Sequence, residues 1–334
     1  MSFSHVSHSE VLDRELRCNR AHGARFGGGM SNHLPMALLA IDALGLGDEE
    51  IERFARCYEG RLEPVSAGLG AVDDWSSCLG ESEREPDLLA HFDESIVRRG
   101  REAVLADVVP RLLDGLITDA FHPLLRLSYG LAFGREDEIA AGLAYWVATH
   151  RSLPPPTPVS GARMSPVEVA TQLSRALADA EPITSGGLIT PRLVLAAGRP
   201  EYRELVDRAE PCLSELAVLA SRLFVASDTF VSLHAVTATH AARVLLEHVP
   251  KVESALLREL TRALLAVHVV EGCPELAEEP SGEGLPDWPE LVEATRGSDD
   301  DHGFKLVHSC REEEQQHGGT VHRWLARRRV SDAP

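Results

Sequence analysis

Apolar residues recur at three- and four-residue steps through most of this chain, and that spacing restricts it to a mainly α fold. In NHLPMALLAIDALG (32–45), Leu34, Leu38, Ile41 and Leu44 follow such steps, and Gly45 stands where a helix stops. The same periodicity runs through 103–117, 136–150, 166–180, 203–225, 229–249 and 252–270, where Ala and Leu, both good helix formers, dominate. Alternating β-branched runs are scarce and no strand–helix–strand rhythm recurs, so a doubly wound sheet is not expected. The expectation is a single large helical domain over 21–325, preceded by a flexible segment, 1–20.

Two stretches interrupt the helices. RSLPPPTPVSGARMSP (151–166) is stiffened by proline, through which a helix cannot continue. The segment 275–301 is acidic, with Gly and Pro spread through it, and reads as a long surface loop. Both are taken as crossings within one domain, because candidate site residues fall on either side of each. Gly27, Gly28 and Gly29 read as a flexible approach to the helix that follows.

Charge and motifs remove several functions. With 33 Lys+Arg against 52 Asp+Glu the net charge is −19, the wrong sign for a nucleic-acid footprint or for docking on anionic lipid. No apolar run reaches the roughly 18 residues that span a bilayer, and the first residues carry no apolar signal segment. Six dispersed cysteines without a CxxC pair read as reduced thiols, so the expected setting is the cytoplasm. The glycine fingerprint of dinucleotide folds, the P-loop, HExxH and GxSxG are all missing, leaving flavin, nicotinamide, zincin and hydrolase readings without support.

Fifteen histidines remain to be explained. His33, His122, His234, His240, His302 and His308 lie in or beside apolar helical segments, where an unpaired imidazole is costly. Singly each reads as a hydrogen-bonded core residue; together they suggest helices presenting imidazoles to one interior point, with a metal held in the core between them. His234 and His240, six apart, point about 120° away from each other on one helix, so only one of them serves a given centre. In DDDHGFKLVHSC (299–310), His302 and Lys305 share a helix face. Lys305 has two readings: an ion pair with Asp299, Asp300 or Asp301, or a neutral amine that has captured carbon dioxide as a carbamate, an anionic oxygen ligand. His91-Phe92-Asp93 supplies the HxD spacing of a two-histidine, one-carboxylate iron site, whose usual β-barrel setting this chain lacks.

Four blocks, NHLPMALLAIDALG (32–45), FHPLLRLSYGLAFG (121–134), LHAVTATHAARVL (233–245) and DDDHGFKLVHS (299–309), resemble in that order the motifs of the questin-oxidase-like family. The resemblance covers about residues 20–310. It implies a helical non-haem iron oxygenase acting on anthraquinone-type aromatic polyketides, with four histidines and a carboxylated lysine around the metal. Carried over residue by residue, these are His33, His122, His234, His302 and Lys305. Where family members often carry further histidines, this chain has Met36, which adds apolar surface to the pocket, and Arg126, a candidate partner for a substrate phenolate or carboxylate. Tyr129, three residues from Arg126 on the same face, is a second candidate for contact with substrate. Asp301 and Thr237 are candidates for orienting the ligands.

The implied chemistry uses iron(II) and dioxygen to cleave a carbon–carbon bond beside a carbonyl, a Baeyer–Villiger-like ring opening in secondary metabolism. NADPH, if it assists, acts without a binding motif in this chain. No nucleic-acid or membrane partner is expected, and a homodimer is left open. The competing class is a metal-free helical protein that binds polyketide intermediates, in which the histidines would be dispersed through the core.

Overall fold

Helices form where the periodicity places them and stop at residues that cannot continue them. In the computed structural model, which describes residues 9–155, 157, 161–181, 183, 187–276, 278 and 280–331, the chain order begins with α1 (Glu10–Asn19), the two-residue strands β1 (Arg25–Phe26) and β2 (Met30–Ser31), α2 (Leu34–Leu44) and α3 (Asp48–Glu59). There follow α4 (Glu85–Arg99), α5 (Arg101–Val108), α6 (His122–Ala132), α7 (Glu136–Thr149), α8 (Pro166–Ala176) and α9 (Ile189–Ala197). The remainder is α10 (Pro200–Leu205), α11 (Leu213–Ser227), α12 (Phe230–His248), α13 (Glu253–Val270), α14 (Trp288–Glu293), α15 (Asp301–His317) and α16 (Val321–Ser331). Among the described residues, sheet structure is limited to the antiparallel β1–β2 hairpin and two isolated bridges. The mainly α architecture is therefore as the periodicity implies, and no described helix is long and apolar enough to cross a membrane.

Caps fix the boundaries. The Ser165 and Thr229 side chains accept from the backbone at the third helical position of α8 and α12, and Glu168 and Ser232 return the bond. Gly45 closes α2 in the left-handed conformation, φ 76°, which a side chain would resist.

Four helices form the centre: α2 packs on α6 and α15, and α12 packs on the same two, closing a ring. Their side chains are buried nearly all round, from Leu34 to Ile41 in α2 and from Val231 to Ala242 in α12, as expected of helices with neighbours on every side. α7 covers α6 at close range. A Cβ on Gly142 would stand 2.7 Å from the Leu127 backbone N, and one on Gly130 would stand 2.7 Å from that of Ile139, so the two glycines set this approach.

Several expectations need correction. Residues 10–19 of the segment read as flexible are α1, capped by Ser9 and docked through the buried Leu12 and Leu16; residues 1–8 lie outside the described residues. The helix foreseen over 103–117 ends at Val108 and continues as 3-10 turns, because Pro110 supplies no amide N–H. That foreseen over 203–225 is split at Pro211 into α10 and α11. The acidic stretch 275–301 contains α14, started by an Asp287–Glu290 capping box and anchored by the buried Leu291. Gly27, Gly28 and Gly29 form the turn of the β1–β2 hairpin at φ 56°, 80° and 121°, values that favour glycine.

Candidate metal centre

Each central helix brings one histidine to the same place, at or near its N-terminal end. His33 directly precedes α2. It is set there by Asn32, whose side chain donates to Asn19 at 2.9 Å and accepts from the Leu34 amide at 3.0 Å, and its own amide donates to the Tyr58 hydroxyl at 3.1 Å. His122 is the first residue of α6, His234 lies in the second turn of α12 and His302 is the second residue of α15. Ligand atoms from the four rings lie within 4.8 Å of one another. His33 stacks on His122 with centroids 4.3 Å apart, and His302 meets His33 edge-on at 4.7 Å.

The approach to His122 is strained. Asp119, Ala120 and Phe121 all lie in the left-handed region, with φ 43°, 56° and 70°, a conformation that costs a non-glycine residue on the order of 1–3 kcal/mol. The run persists because it is tied at two points. The Asp119 carbonyl accepts from His122 Nδ1, and the Ala120 amide donates to Thr190 Oγ1 of α9 at 2.9 Å.

The hydrogen bonds also fix the tautomers. His33 and His302 give their Nδ1 protons to Asp301, the latter at 2.8 Å; His122 and His234 give theirs to the carbonyls of Asp119 and Phe230. A neutral imidazole that donates from Nδ1 keeps its lone pair on Nε2. His122 Nε2 and His234 Nε2 nevertheless face each other at 3.1 Å, a contact between two lone pairs that repel unless a cation lies beside them. Two nitrogens bound to one ion at right angles with bonds of about 2.1 Å stand about 3 Å apart, so this pair suits a metal.

His33, His122 and His234 are held neutral, as ligation requires. Burial pushes His33 down to about 3 against the pull of Asp301, and burial with the neighbouring positive groups lowers His122 and His234 well below the usual range. Positive helix N-termini act in the same direction. Asp301 behaves oppositely: burial alone would raise it, but His302, His33 and Lys305 hold its carboxyl well below the carboxylate range.

Lys305, one turn along α15 from His302, is 1% exposed, and its Nζ has no hydrogen-bond partner among the described residues. The ion pair with a neighbouring aspartate is not formed. Asp299 pairs with Arg53, Asp300 with Arg329 and Asp301 with the two histidines. Burial lowers its ammonium to about 8. An unpaired buried amine beside four clustered imidazoles suits a role as an anionic carbamate ligand, and the full donor set fits iron as well as other imidazole-binding metals.

The histidines form one end of a cavity of about 910 Å³, a size suited to a small organic ligand. Its walls come from the β1–β2 hairpin, α9 and the start of α12. Met30, Leu188, Leu195 and Phe230, all about half exposed, line it. Arg61 and Arg151 bring positive charge to the same lining.

Other residues singled out by sequence lie elsewhere. Arg126 does not line the cavity; its guanidinium is buried against Glu138 of α7, at 2.8 and 3.3 Å, and so is committed to packing α6 on α7. Tyr129 also lies off the cavity, its hydroxyl 3.4 Å from His308 Nδ1. Met36 is buried away from the lining. His240 bonds Glu313 at 2.7 Å, on a different side of α12 from His234. Thr237 bonds back to its own helix, at Leu233 and His234. His91 and Asp93 sit on α4, engaged by the Val72 carbonyl and Arg20. Sequence reasoning missed Arg61, Arg151, Asp119 and Thr190, none of which carries a local motif.

The family described as questin oxidase-like matches residues 30–310. A questin oxidase of Aspergillus terreus (strain NIH 2624 / FGSC A1156) is 29% identical over 140 residues, 36% of this chain and 30% of the relative. The Baeyer-Villiger oxidase ptaJ of Pestalotiopsis fici (strain W106-1 / CGMCC3.15140) is 27% identical over 138 residues, 37% of this chain and 31% of the relative. The matched stretch thus spans less than a third of either relative.

Proposed function

This chain belongs to the questin oxidase-like family, and from that membership we propose that it is an iron(II)-dependent oxygenase that opens a ring of an anthraquinone-type or related aromatic polyketide. The bond cleaved is carbon–carbon, beside a carbonyl, in the Baeyer–Villiger sense that the name of one relative carries. The name of the other, a questin oxidase, supports the substrate class. The observation that carries the reading is the pair of Nε2 lone pairs on His122 and His234, 3.1 Å apart in a cluster of four imidazoles.

His33, His122, His234 and His302 would hold the metal, with Lys305 as its carbamate supplying an anionic fifth ligand. Bound iron(II) supplies the redox chemistry that lets dioxygen react with an electron-rich aromatic ring. The chain's own residues do the rest. Asp301 holds the His33 and His302 rings by their Nδ1 protons, keeping both Nε2 atoms directed at the shared centre. Phe230, Leu195 and Met30 offer apolar surface to a flat ring system and displace water from it. Arg61 and Arg151 favour a substrate that carries a phenolate or carboxylate, the part assigned to Arg126 from sequence. The four helix N-termini stabilise negative charge that develops on a substrate oxygen at the histidine end.

Metal analysis on protein purified anaerobically tests the reading. One iron per chain, lost in both His302→Ala and Lys305→Ala, supports it. A wild-type protein that takes up no iron(II) on reconstitution overturns it in favour of a metal-free polyketide-binding protein.

A further inference from the structure

We infer that Thr190, on the cavity wall, is a positioning residue for His122. The inference rests on the metal reading above but concerns a residue that lies 68 positions from the histidine it serves.

Three successive non-glycine residues in the left-handed region do not hold themselves. Asp119, Ala120 and Phe121 form such a run immediately before His122, and the run decides the direction in which His122 enters α6. Its inner end is tied by the His122 ring itself, through the Asp119 carbonyl. Its middle is tied by Thr190. The hydroxyl accepts from the Ala120 amide at 2.9 Å and donates to the Ile117 carbonyl at 2.9 Å, bridging the two ends of the turn, whose direct bond is longer at 3.2 Å. Thr190 is buried to 8% exposure, and both of its bonds are made to backbone atoms of the turn. Without the hydroxyl, the run is held only by the longer Ile117–Ala120 bond and the His122 ring, and its relaxation toward right-handed backbone would swing His122 Nε2 away from His234 Nε2.

Thr190 occupies the first turn of α9, whose Ile189, Val194 and Leu195 also line the cavity. The wall that would meet the substrate and the backbone that aims one ligand are therefore joined by a single hydroxyl. Local sequence around His122 supplies no equivalent.

Cobalt(II) titration of metal-free protein tests this, with the visible absorption of the bound ion as a second readout. Thr190→Val keeps the shape and removes both bonds; Thr190→Ala serves the same purpose if the valine variant does not fold. Either is expected to bind cobalt roughly ten- to a hundred-fold more weakly, the range typical for residues that orient ligands, and with an altered absorption spectrum. Thr190→Ser, which keeps the hydroxyl, is expected to match wild type in both. Wild-type affinity and spectrum in the valine or alanine variant would overturn the inference, even if the thermal midpoint of the metal-free protein falls, since that pattern is purely structural. Failure of the serine variant to rescue would overturn it too. Failure of the wild-type protein to bind cobalt would instead remove the metal reading on which the inference stands.

Discussion

Asp301→Asn separates the two jobs that the aspartate performs. The carboxylate accepts from His33 Nδ1 with one oxygen and from His302 Nδ1, at 2.8 Å, with the other. Asparagine has nearly the same volume, so no cavity opens, but it offers one acceptor and one donor. One imidazole keeps its bond, and the other meets an N–H where it had a carboxylate oxygen. The loss is one hydrogen bond to a charged group, worth about 1.5–3 kcal/mol, which at about 1.4 kcal/mol per decade is roughly a ten- to hundred-fold loss of metal affinity. The start of α15 is spared, because Asp300, not Asp301, caps it by accepting from the His302 amide at 3.1 Å. Competition with a chelator for iron(II) measures the affinity, and circular dichroism of the metal-free protein checks the fold. Asp301→Ala, which leaves both imidazole N–H groups unpaired, is expected to bind more weakly still. Equal affinity in wild type and the asparagine variant, or an asparagine variant weaker than alanine, would refute the reasoning.

Other perturbations probe the scaffold. Arg126→Met leaves the Glu138 carboxylate buried without its partner, and thermal or denaturant unfolding should show a loss of about 3–5 kcal/mol; iron stoichiometry should stay at the wild-type value, and a selective loss of metal would return Arg126 to the site. Gly142→Ala pushes a methyl against the Leu127 backbone and should destabilise by about 1–3 kcal/mol, whereas an unchanged midpoint would mean that α6 and α7 separate freely. The Glu313 carboxyl, which burial would raise, is held down to about 2 by His240 and Arg243. Its folded pKa lies below the unfolded one, so its contribution to stability is full above about pH 4.5 and is lost as pH falls toward 2. Glu313→Gln should therefore flatten the acid limb of stability against pH, and an unchanged limb would show that the contacts of Glu313 with His240 and Arg243 contribute nothing.

How much of this was legible in the sequence follows from the range over which each signal acts. Helix type and most boundaries are local: the three- and four-residue steps, Gly45, and the Ser165 and Thr229 caps act within one or two turns, and the structure follows them. Pro110 and Pro211 are equally local breakers, but the apolar periodicity continues on both sides of each and masks the break. Family motifs named His33, His122, His234, His302 and Lys305, whose chain positions span 272 residues, and no spacing rule by itself could have gathered them.

The sequence alone determined a mainly helical chain, with its imidazoles fixed one by one at identifiable places on helices. Tertiary structure decided which of those places meet. Periodicity says which face of α6 carries Arg126 but not that Glu138 waits opposite, and it says which face of α12 carries His234 but not that His240 turns toward Glu313. It cannot show that Asp299, Asp300 and Asp301 are all engaged elsewhere, which leaves the Lys305 amine without a partner. Nor can it link Thr190 to a turn 70 residues away. These are pairings between surfaces distant in the chain, and they depend on how the central helices pack together, which no local stretch of sequence encodes.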